Sequence, residues 1–120
     1  MEVMRQYNRG TRAARAVADW IRQRGFQAIP HGGPVGGPLV MVPAAIAAGL
    51  GELGKHGSMI NRSYGSGFRL SAVATDLPLV FDQPDVFGVD DVCIKCQACR
   101  NACPPDAIYD EKQLVRGSRK

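Results

Sequence analysis

The hydrophobic pattern is most regular in the first quarter of the chain. Small and aliphatic side chains recur at positions 14, 17, 18 and 21, which is the i, i+3, i+4, i+7 spacing of one apolar helix face. The pattern predicts a helix from Thr11 to Arg24, with Thr11 as its N-cap and Gly25 as the residue that ends it. Phe26–Ile29 then predicts a short strand ended by Pro30. This helix–glycine–strand order is typical of α/β layering.

Three later segments predict further elements. Val42–Ala48 predicts a short buried helix with Pro43 near its first position, and Phe68–Thr75 alternates well enough for a strand. Ala107–Tyr109 predicts a last short strand. With 120 residues, of which 45% are hydrophobic and 22% charged, the chain can form a modest core. The predicted fold class is α+β with α/β-like layering.

Glycine-rich segments connect these elements. His31–Pro38 contains four glycines in eight residues, and it is either a plain linker or backbone that approaches a bulky ligand closely. Gly49–Lys55 satisfies G-x-G-x-x-G, but it follows an alanine-rich helical stretch, and His56 stands where a phosphate loop needs Ser or Thr. The segment therefore predicts a turn that directs backbone donors toward some ligand, rather than a standard nucleotide-phosphate loop.

All the cysteines of the chain fall within one run of eleven residues. Their spacing is C-x2-C-x2-C-x3-C-P, with which bacterial-type ferredoxin modules bind [4Fe–4S] clusters. Structural zinc sites usually arrange their ligands as two separated pairs, and a disulfide framework needs an oxidising compartment, so zinc and disulfides are the weaker alternatives. The predicted metal ligands are Cys93, Cys96, Cys99 and Cys103.

This cysteine run does not supply all the ligands that a two-cluster module needs. In two-cluster modules the first three cysteines bind one cluster and the fourth binds the other, but the sequence has no further cysteine. The chain is then a fragment, borrows ligands from another chain, or holds a three-iron or solvent-ligated cluster; we expect a fragment. Thiols that meet iron while reduced predict a cytoplasmic protein, and we expect no signal peptide in Met1–Gly10 and no membrane span.

Charge is unevenly distributed around a net value of +4. The first quarter is rich in arginine: Arg5, Arg9, Arg12, Arg15, Arg22 and Arg24. Such a basic patch can meet nucleic acid or an anionic cofactor. Because the aromatic interleaving of nucleic-acid binders is missing, we favour a solvated helix face and expect no nucleic acid. The acidic segment from Asp82 to Asp91 predicts a boundary, which divides the chain into residues 1–81 and 82–120.

Several segments together resemble the corrinoid-dependent reductive dehalogenases. They are Ala48–Asn61, Tyr64–Arg69, Thr75–Leu79, Phe87–Asp90 and the cysteine run. Epoxyqueuosine reductase, a related corrinoid and iron–sulfur enzyme, has a similar series, but Glu52-Leu53 and Lys112–Gly117 are closer to the dehalogenases. The resemblance implies part of a nitroreductase-like corrinoid-binding core in residues 1–81. It implies half of a ferredoxin-like module in residues 82–120, with two [4Fe–4S] clusters in the complete protein.

The resemblance also implies a reaction. An organohalide would lose halide at the cobalt of a bound corrinoid, while the clusters pass on single electrons from an electron donor protein. Tyr7 and Arg69 match the family's proton-donating tyrosine and its neighbouring basic residue, and a nearby cation favours the tyrosinate form. Tyr64 is the other candidate acid. The implied corrinoid contacts are Gly32–Gly37, Gly49, Gly51, Gly54, Gly57, Ser58 and Asn61; His56 is not expected to bind cobalt.

Two other functions remain open at this point. One is epoxyqueuosine reductase-like chemistry on a tRNA base, which the basic first quarter would serve. The other is a small [4Fe–4S] electron carrier, for which the residues before the cysteine run would be unnecessary. We expect the 120-residue chain alone to be inactive, with a second chain as a possible source of the other cluster motif. The sequence does not identify the organohalide.

Overall fold

The computed structural model describes residues 2–34 and 37–110. Its helices and strands, in chain order, are α1 (Glu2–Arg22), β1 (Ala28–His31), α2 (Met41–Ala47), β2 (Glu52–Leu53), β3 (Met59–Ile60), β4 (Ala72–Thr75), α3 (Val89–Cys96) and α4 (Ala98–Asn101). This mixture of helices and small sheets agrees with the α+β class predicted from the sequence. No helix among the described residues is long and apolar enough to cross a membrane.

The chain forms two compact units. The helix unit comprises Met1–Ala44 and Gly67–Asp82, and the cysteine unit comprises Ala45–Ser66 and Gln83–Lys120. The chain passes from one unit to the other after residues 44, 66 and 82, so residues 45–66 group with the cysteine run that they precede. The division is discontinuous because contacts distant in sequence, which local composition does not encode, define it.

Helix α1 begins nine residues earlier than predicted. Thr11 is therefore in the middle of the helix rather than at its N-cap, and its Oγ1 donates a hydrogen bond to the Tyr7 carbonyl oxygen at 2.9 Å. The first turn consists of good helix formers, and the Glu2 carboxylate accepts from Gln6 at 2.6 Å and pairs with Arg5 at 3.7 Å. These local contacts extend the helix beyond the apolar stripe on which the prediction rested. The helix ends at Arg22, two residues before the predicted Arg24, and Gly25 lies in the turn that follows, with the left-handed φ of 86° expected of a glycine near a helix end.

The helix unit is built around a small core where α1 packs on a two-stranded sheet. Ala18, Ile21 and Ala28 are buried together, with Phe26, Val73 and Leu77 packed against them. Strands β1 and β4 are antiparallel, with Ala28 opposite Thr75 and His31 opposite Ala72.

Both strands of this sheet differ from their predicted bounds. The prediction that Pro30 ends the first strand is wrong, because Pro30 lies inside β1 opposite Val73. A two-stranded sheet leaves one edge of each strand unpaired, and proline is tolerated at such an edge. Strand β4 is shorter than the predicted Phe68–Thr75 and begins at Ala72.

The cysteine unit contains a hairpin that the sequence did not predict. Strands β2 and β3 pair antiparallel, with Glu52 opposite Ile60; β2 lies inside Gly49–Lys55, which was interpreted as a turn, and β3 follows that segment. Helix α2 forms near its predicted position, although only Ala45 in it is buried and Pro43 is its third residue. The predicted strand Ala107–Tyr109 is wrong, since these residues have no strand pairing. The predicted basic tail Leu114–Lys120 lies outside the described residues.

Candidate functional site

The helix unit brings Tyr7 and Arg69 together. The guanidinium carbon of Arg69 lies 5.2 Å from the centroid of the Tyr7 ring, within the range of a cation–π contact. Tyr7 is half-buried on α1, whereas Arg69 is exposed on the segment that leads into β4. The Arg69 Nη1 also donates to the carbonyl oxygen of Phe68 at 2.8 Å, which holds the guanidinium near its own backbone. Two residues far apart in sequence therefore form one polar site.

Two glycines allow the chain segments around this site to pack closely. A Cβ on Gly10 of α1 would lie 3.4 Å from the Ser71 Oγ, and one on Gly32 would lie 3.0 Å from the Thr11 Oγ1. Because neither glycine has a side chain, α1, the loop after β1 and the segment before β4 approach closely. The sequence left open whether the glycines after β1 approach a ligand or form a linker. Gly32 approaches α1 itself, and Val35 and Gly36 lie outside the described residues.

The Tyr7–Arg69 pair has the composition of a general acid. A phenol supplies the proton, and an adjacent fixed cation stabilises the anion that remains. Tyr64, the second candidate acid, lies in the cysteine unit on the turn after β3 and is 74% exposed. Its backbone N–H donates to the Asn61 Oδ1 at 3.0 Å, and no cation–π contact is found for it among the described residues. Of the two candidate acids, Tyr7 is the one with a cation beside it among the described residues, and its role as proton donor stays a prediction.

In the cysteine unit, packing accounts for three of the glycines that were predicted to contact a corrinoid. A Cβ on Gly49 would lie 2.5 Å from the Gln83 carbonyl oxygen, and one on Gly51 would collide with the carbonyl oxygen of Ile60. A Cβ on Gly54 would lie 2.9 Å from the His56 ring and from the Ile60 side chain. These positions require glycine whether or not a ligand is bound. Their contact with a corrinoid remains a prediction.

The other predicted corrinoid contacts differ in whether the protein itself already uses their polar atoms. The Asn61 Oδ1 accepts from the N–H groups of Ser63 and Tyr64 at 2.9 and 3.0 Å, and its Nδ2 donates to the Leu50 carbonyl oxygen at 2.7 Å. Asn61 therefore uses both side-chain polar atoms to hold its own turn. Gly57 and Ser58, in contrast, are exposed. Gly57 has φ of 81° and open space around it, so the turn between β2 and β3 presents these two residues at its surface.

Glu52 is a structural residue of this unit whose role was missed in the sequence. Its carboxylate is buried, and Oε1 accepts hydrogen bonds from the backbone N–H groups of Phe87 and Val89. Nearby, Arg62 pairs with Asp85 at 3.1 Å and lies 4.5 Å from the Phe87 ring centroid. The hairpin thereby fixes the segment that leads into the cysteine run. A lone glutamate between glycines carries no sequence signal for this role.

The cysteine run folds as two short helices with a break between them. Cys93 and Cys96 lie three residues apart on α3, Gln97 adopts a left-handed conformation with φ of 50°, and Cys99 follows on α4. All four thiols are free, and Cys96 is exposed while Cys93, Cys99 and Cys103 are half-buried. Among the described residues, no group of three or more His, Cys, Asp or Glu side chains is arranged so that it could hold a metal ion. Thiolates are nevertheless the ligand type that [4Fe–4S] clusters take, and the spacing of these four is that of a cluster-binding run.

Curated proteins of two related kinds are similar to this chain. A tetrachloroethene reductive dehalogenase of Desulfitobacterium hafniense is 39% identical over 110 residues, which are 92% of this chain and 19% of that protein. The epoxyqueuosine reductase of Escherichia coli is 44% identical over 73 residues, which are 61% of this chain and 18% of that protein. The chain thus spans about a fifth of the length of these curated relatives. No family model matches it.

Solved structures give the same result. The catabolic reductive dehalogenase NpRdhA superimposes with a TM-score of 0.80 and 35% sequence identity, over 89% of this chain and 15% of that one. A structure of NpRdhA in complex with 3-bromo-4-hydroxybenzoic acid matches equally well. Another matched structure belongs to a reductive dehalogenase studied for B12-dependent dehalogenation, with a TM-score of 0.80.

Proposed function

We propose that this chain contributes the proton donor and a cluster-binding segment of a corrinoid-dependent reductive dehalogenase. The reason is that the chain is reductive dehalogenase-like and related to epoxyqueuosine reductase. The observation that carries this proposal is the contact between Tyr7 and Arg69, in which the guanidinium carbon lies 5.2 Å from the centroid of the phenol ring. The relatives are several times longer than this chain, so the proposal concerns a function completed by further sequence or by a partner chain.

Each cofactor has candidate residues in this chain. Cys93, Cys96 and Cys99 would bind one [4Fe–4S] cluster, and Cys103 would bind a second. The turn at Gly57 and Ser58 would contact the corrinoid, together with the glycine segments around it. When bound, these groups would supply single electrons and a reducing cobalt centre. We assign residues 1–81 to a nitroreductase-like corrinoid-binding core and residues 82–120 to the first half of a ferredoxin-like module.

In this reaction Tyr7 would deliver a proton to the carbon that loses halide. The Tyr7 hydroxyl releases the proton, and the guanidinium of Arg69 stabilises the phenolate that remains. The substrate would be an organohalide, since the matched relatives are named for tetrachloroethene and one matched structure holds a brominated hydroxybenzoate.

The test is halide release by the complete protein, that is, this chain together with the further sequence or partner chain that completes its function. The protein is loaded with cobalamin and clusters and supplied with a low-potential reductant. Tetrachloroethene and 3-bromo-4-hydroxybenzoic acid serve as two chemically different substrates. Stoichiometric chloride or bromide release that depends on both cofactors is the expected result. Absence of halide release from both substrates and from a wider organohalide panel would contradict the proposal.

Epoxyqueuosine reductase-like activity is the second candidate, and the 44% identity over 73 residues favours it. The same loaded protein would then convert epoxyqueuosine to queuosine in tRNA and leave organohalides intact. Mass spectrometry of nucleosides from the treated tRNA distinguishes the two functions. The longer match to the tetrachloroethene enzymes, 92% of this chain against 61%, makes dehalogenation the first choice.

A further inference from the structure

Lys55 is a buried lysine whose side-chain nitrogen has no acceptor among the described residues. The residue is 9% exposed, and its Nζ is buried without a hydrogen-bond partner within residues 2–34 and 37–110. An ammonium group has three donors and no acceptor, and a buried charge is stable only when it is paired. An anionic group from outside the described chain is the natural partner for this nitrogen.

Glu52 does not neutralise Lys55, although it is the other buried charged residue among those described and lies on the same hairpin. Its Oε1 is occupied by the N–H groups of Phe87 and Val89. The ion pairs found in the described ranges all join an arginine to an acid, and none includes Lys55. The missing negative charge therefore comes neither from this hairpin nor from its described neighbours.

The turn that begins at Lys55 carries further donors. Ser58 is exposed and presents a hydroxyl group. The Nδ1 of His56 accepts from the Ser58 N–H at 3.0 Å, which in a neutral ring leaves Nε2 as the N–H donor. Lys55 begins the turn on which these donors lie, and its side chain is a flexible four-carbon stem that ends in three N–H donors. A small anion with several oxygens suits this group of donors.

We propose that Lys55 binds the phosphodiester in the nucleotide tail of a cobalamin-type corrinoid. This inference rests on the proposed function, which supplies the corrinoid. The peripheral arms of such a cofactor are neutral amides, and the phosphodiester of the nucleotide tail is the anionic group among them. Lysine binds phosphate as a compact point charge. The role differs from that of a standard phosphate loop, because the ammonium side chain rather than a row of backbone N–H groups makes the contact.

The experiment compares two corrinoids in the full-length protein. Cobalamin carries the phosphodiester, whereas cobinamide lacks both it and the nucleotide. Dissociation constants for both are measured by absorbance or fluorescence quenching with wild type, Lys55→Met, Lys55→Arg and Arg12→Met. Arg12→Met is the matched control, because it removes one exposed positive charge from α1. Iron content and far-UV circular dichroism are recorded for each variant.

We expect Lys55→Met to weaken cobalamin binding about 10- to 100-fold, as for a lost hydrogen bond to a charged group, and to change cobinamide binding less than about twofold. Lys55→Arg keeps most of the affinity for cobalamin, and Arg12→Met leaves both ligands unaffected. The ratio of the two dissociation constants within one variant corrects for a partial loss of folded protein.

Three results would overturn the proposal. If Lys55→Met weakens both corrinoids equally, the lysine does not recognise the phosphodiester. If cobalamin affinity is unchanged but iron content falls, Lys55 pairs with an iron–sulfur cluster instead. If wild type binds neither corrinoid, the proposed function itself fails. That result differs from one in which wild type and Lys55→Met bind cobalamin equally tightly, where only the role of Lys55 fails.

Discussion

Tyr7 and Arg69 show how much one pair of side chains depends on the backbone around it. Near this contact, Gly10 and Gly32 let α1, the loop after β1 and the segment before β4 approach closely. Neither Tyr7 nor Arg69 is distinguishable by itself from an ordinary surface tyrosine or arginine. Their proximity makes them a candidate proton donor beside a fixed cation.

The first residue-scale prediction concerns the proton donor. Tyr7→Phe removes the hydroxyl and keeps the ring that stacks with Arg69, so we expect halide release to fall about 10²- to 10⁴-fold, the usual contribution of general acid catalysis. Cobalamin affinity and iron content should stay at the wild-type values. Tyr64→Phe is the matched control and should retain activity. Equal losses in the two variants would contradict the assignment of Tyr7.

The second residue-scale prediction concerns the cation. Arg69→Met should lower the halide-release rate at saturating substrate, because no positive charge then stabilises the phenolate. Arg69→Lys should recover part of the rate, since it restores the charge without the planar guanidinium. Rates are measured by ion chromatography under single-turnover conditions. If the Met and Lys variants are equally slow, the charge of Arg69 is not its contribution.

At the scale of elements, the β2–β3 hairpin acts as a support for the cysteine run. Glu52 binds the backbone just before and at the start of α3, and Arg62 binds the same segment through Asp85 and Phe87. The glycines of the hairpin allow the close packing that brings these groups together. The G-x-G-x-x-G pattern thus has an architectural role, whichever ligand binds at its turn.

The Glu52 contacts give a stability prediction. Glu52→Leu leaves the N–H groups of Phe87 and Val89 buried without an acceptor, so the free energy of unfolding should fall by about 1–3 kcal/mol. Glu52→Gln keeps a carbonyl oxygen at the same place and should lose less. Urea denaturation followed by circular dichroism measures both. A Leu variant as stable as wild type would show that the two hydrogen bonds contribute nothing.

The hairpin glycines give a second stability prediction. Gly51→Ala places a methyl group against the Ile60 carbonyl oxygen and should cost about 1–3 kcal/mol, as overpacking typically does. Gly37→Ala is the control, because no atom lies within 4 Å of a Cβ at that position, and its effect should stay within about 0.5 kcal/mol. Thermal denaturation of the two variants should therefore give clearly different midpoints.

At the scale of the whole molecule, the proposed function needs more than this chain supplies. The chain spans about a fifth of the length of the tetrachloroethene enzyme that it matches, and the cysteine run would supply half of the ligands of a two-cluster module. The units contain the candidate proton donor and the candidate cluster ligands separately. Catalysis as proposed requires a corrinoid and a complete set of cluster ligands.

The whole-molecule prediction is a count of iron. The 120-residue chain reconstituted anaerobically by itself should bind fewer than four irons and four sulfides, or give the EPR signal of a [3Fe–4S] cluster, because its motif lacks one ligand of the first cluster. Cys103→Ser should leave this iron content unchanged, whereas Cys96→Ser should abolish it. A full [4Fe–4S] complement that needs all four cysteines would instead favour the small electron carrier.

The local features of the chain were predictable from sequence because they depend on short-range periodicity and spacing. The apolar stripe of α1, the left-handed Gly25 and the cysteine spacing are of this kind. The α1 start and the Ala107–Tyr109 strand were predicted wrongly. Helix-favouring side-chain pairs extend α1 beyond its apolar stripe, and a strand requires a partner strand that no local pattern provides.

The tertiary structure alone decided which distant residues meet. It placed Arg69 against Tyr7, gave the Glu52 carboxylate hydrogen bonds from two N–H groups, and buried the Lys55 nitrogen with no acceptor in the described part of the chain. The resemblance to a family suggested the first of these contacts, but composition and periodicity did not. Each depends on backbone segments far apart in sequence that pack at van der Waals distance, and such packing is a property of the folded chain.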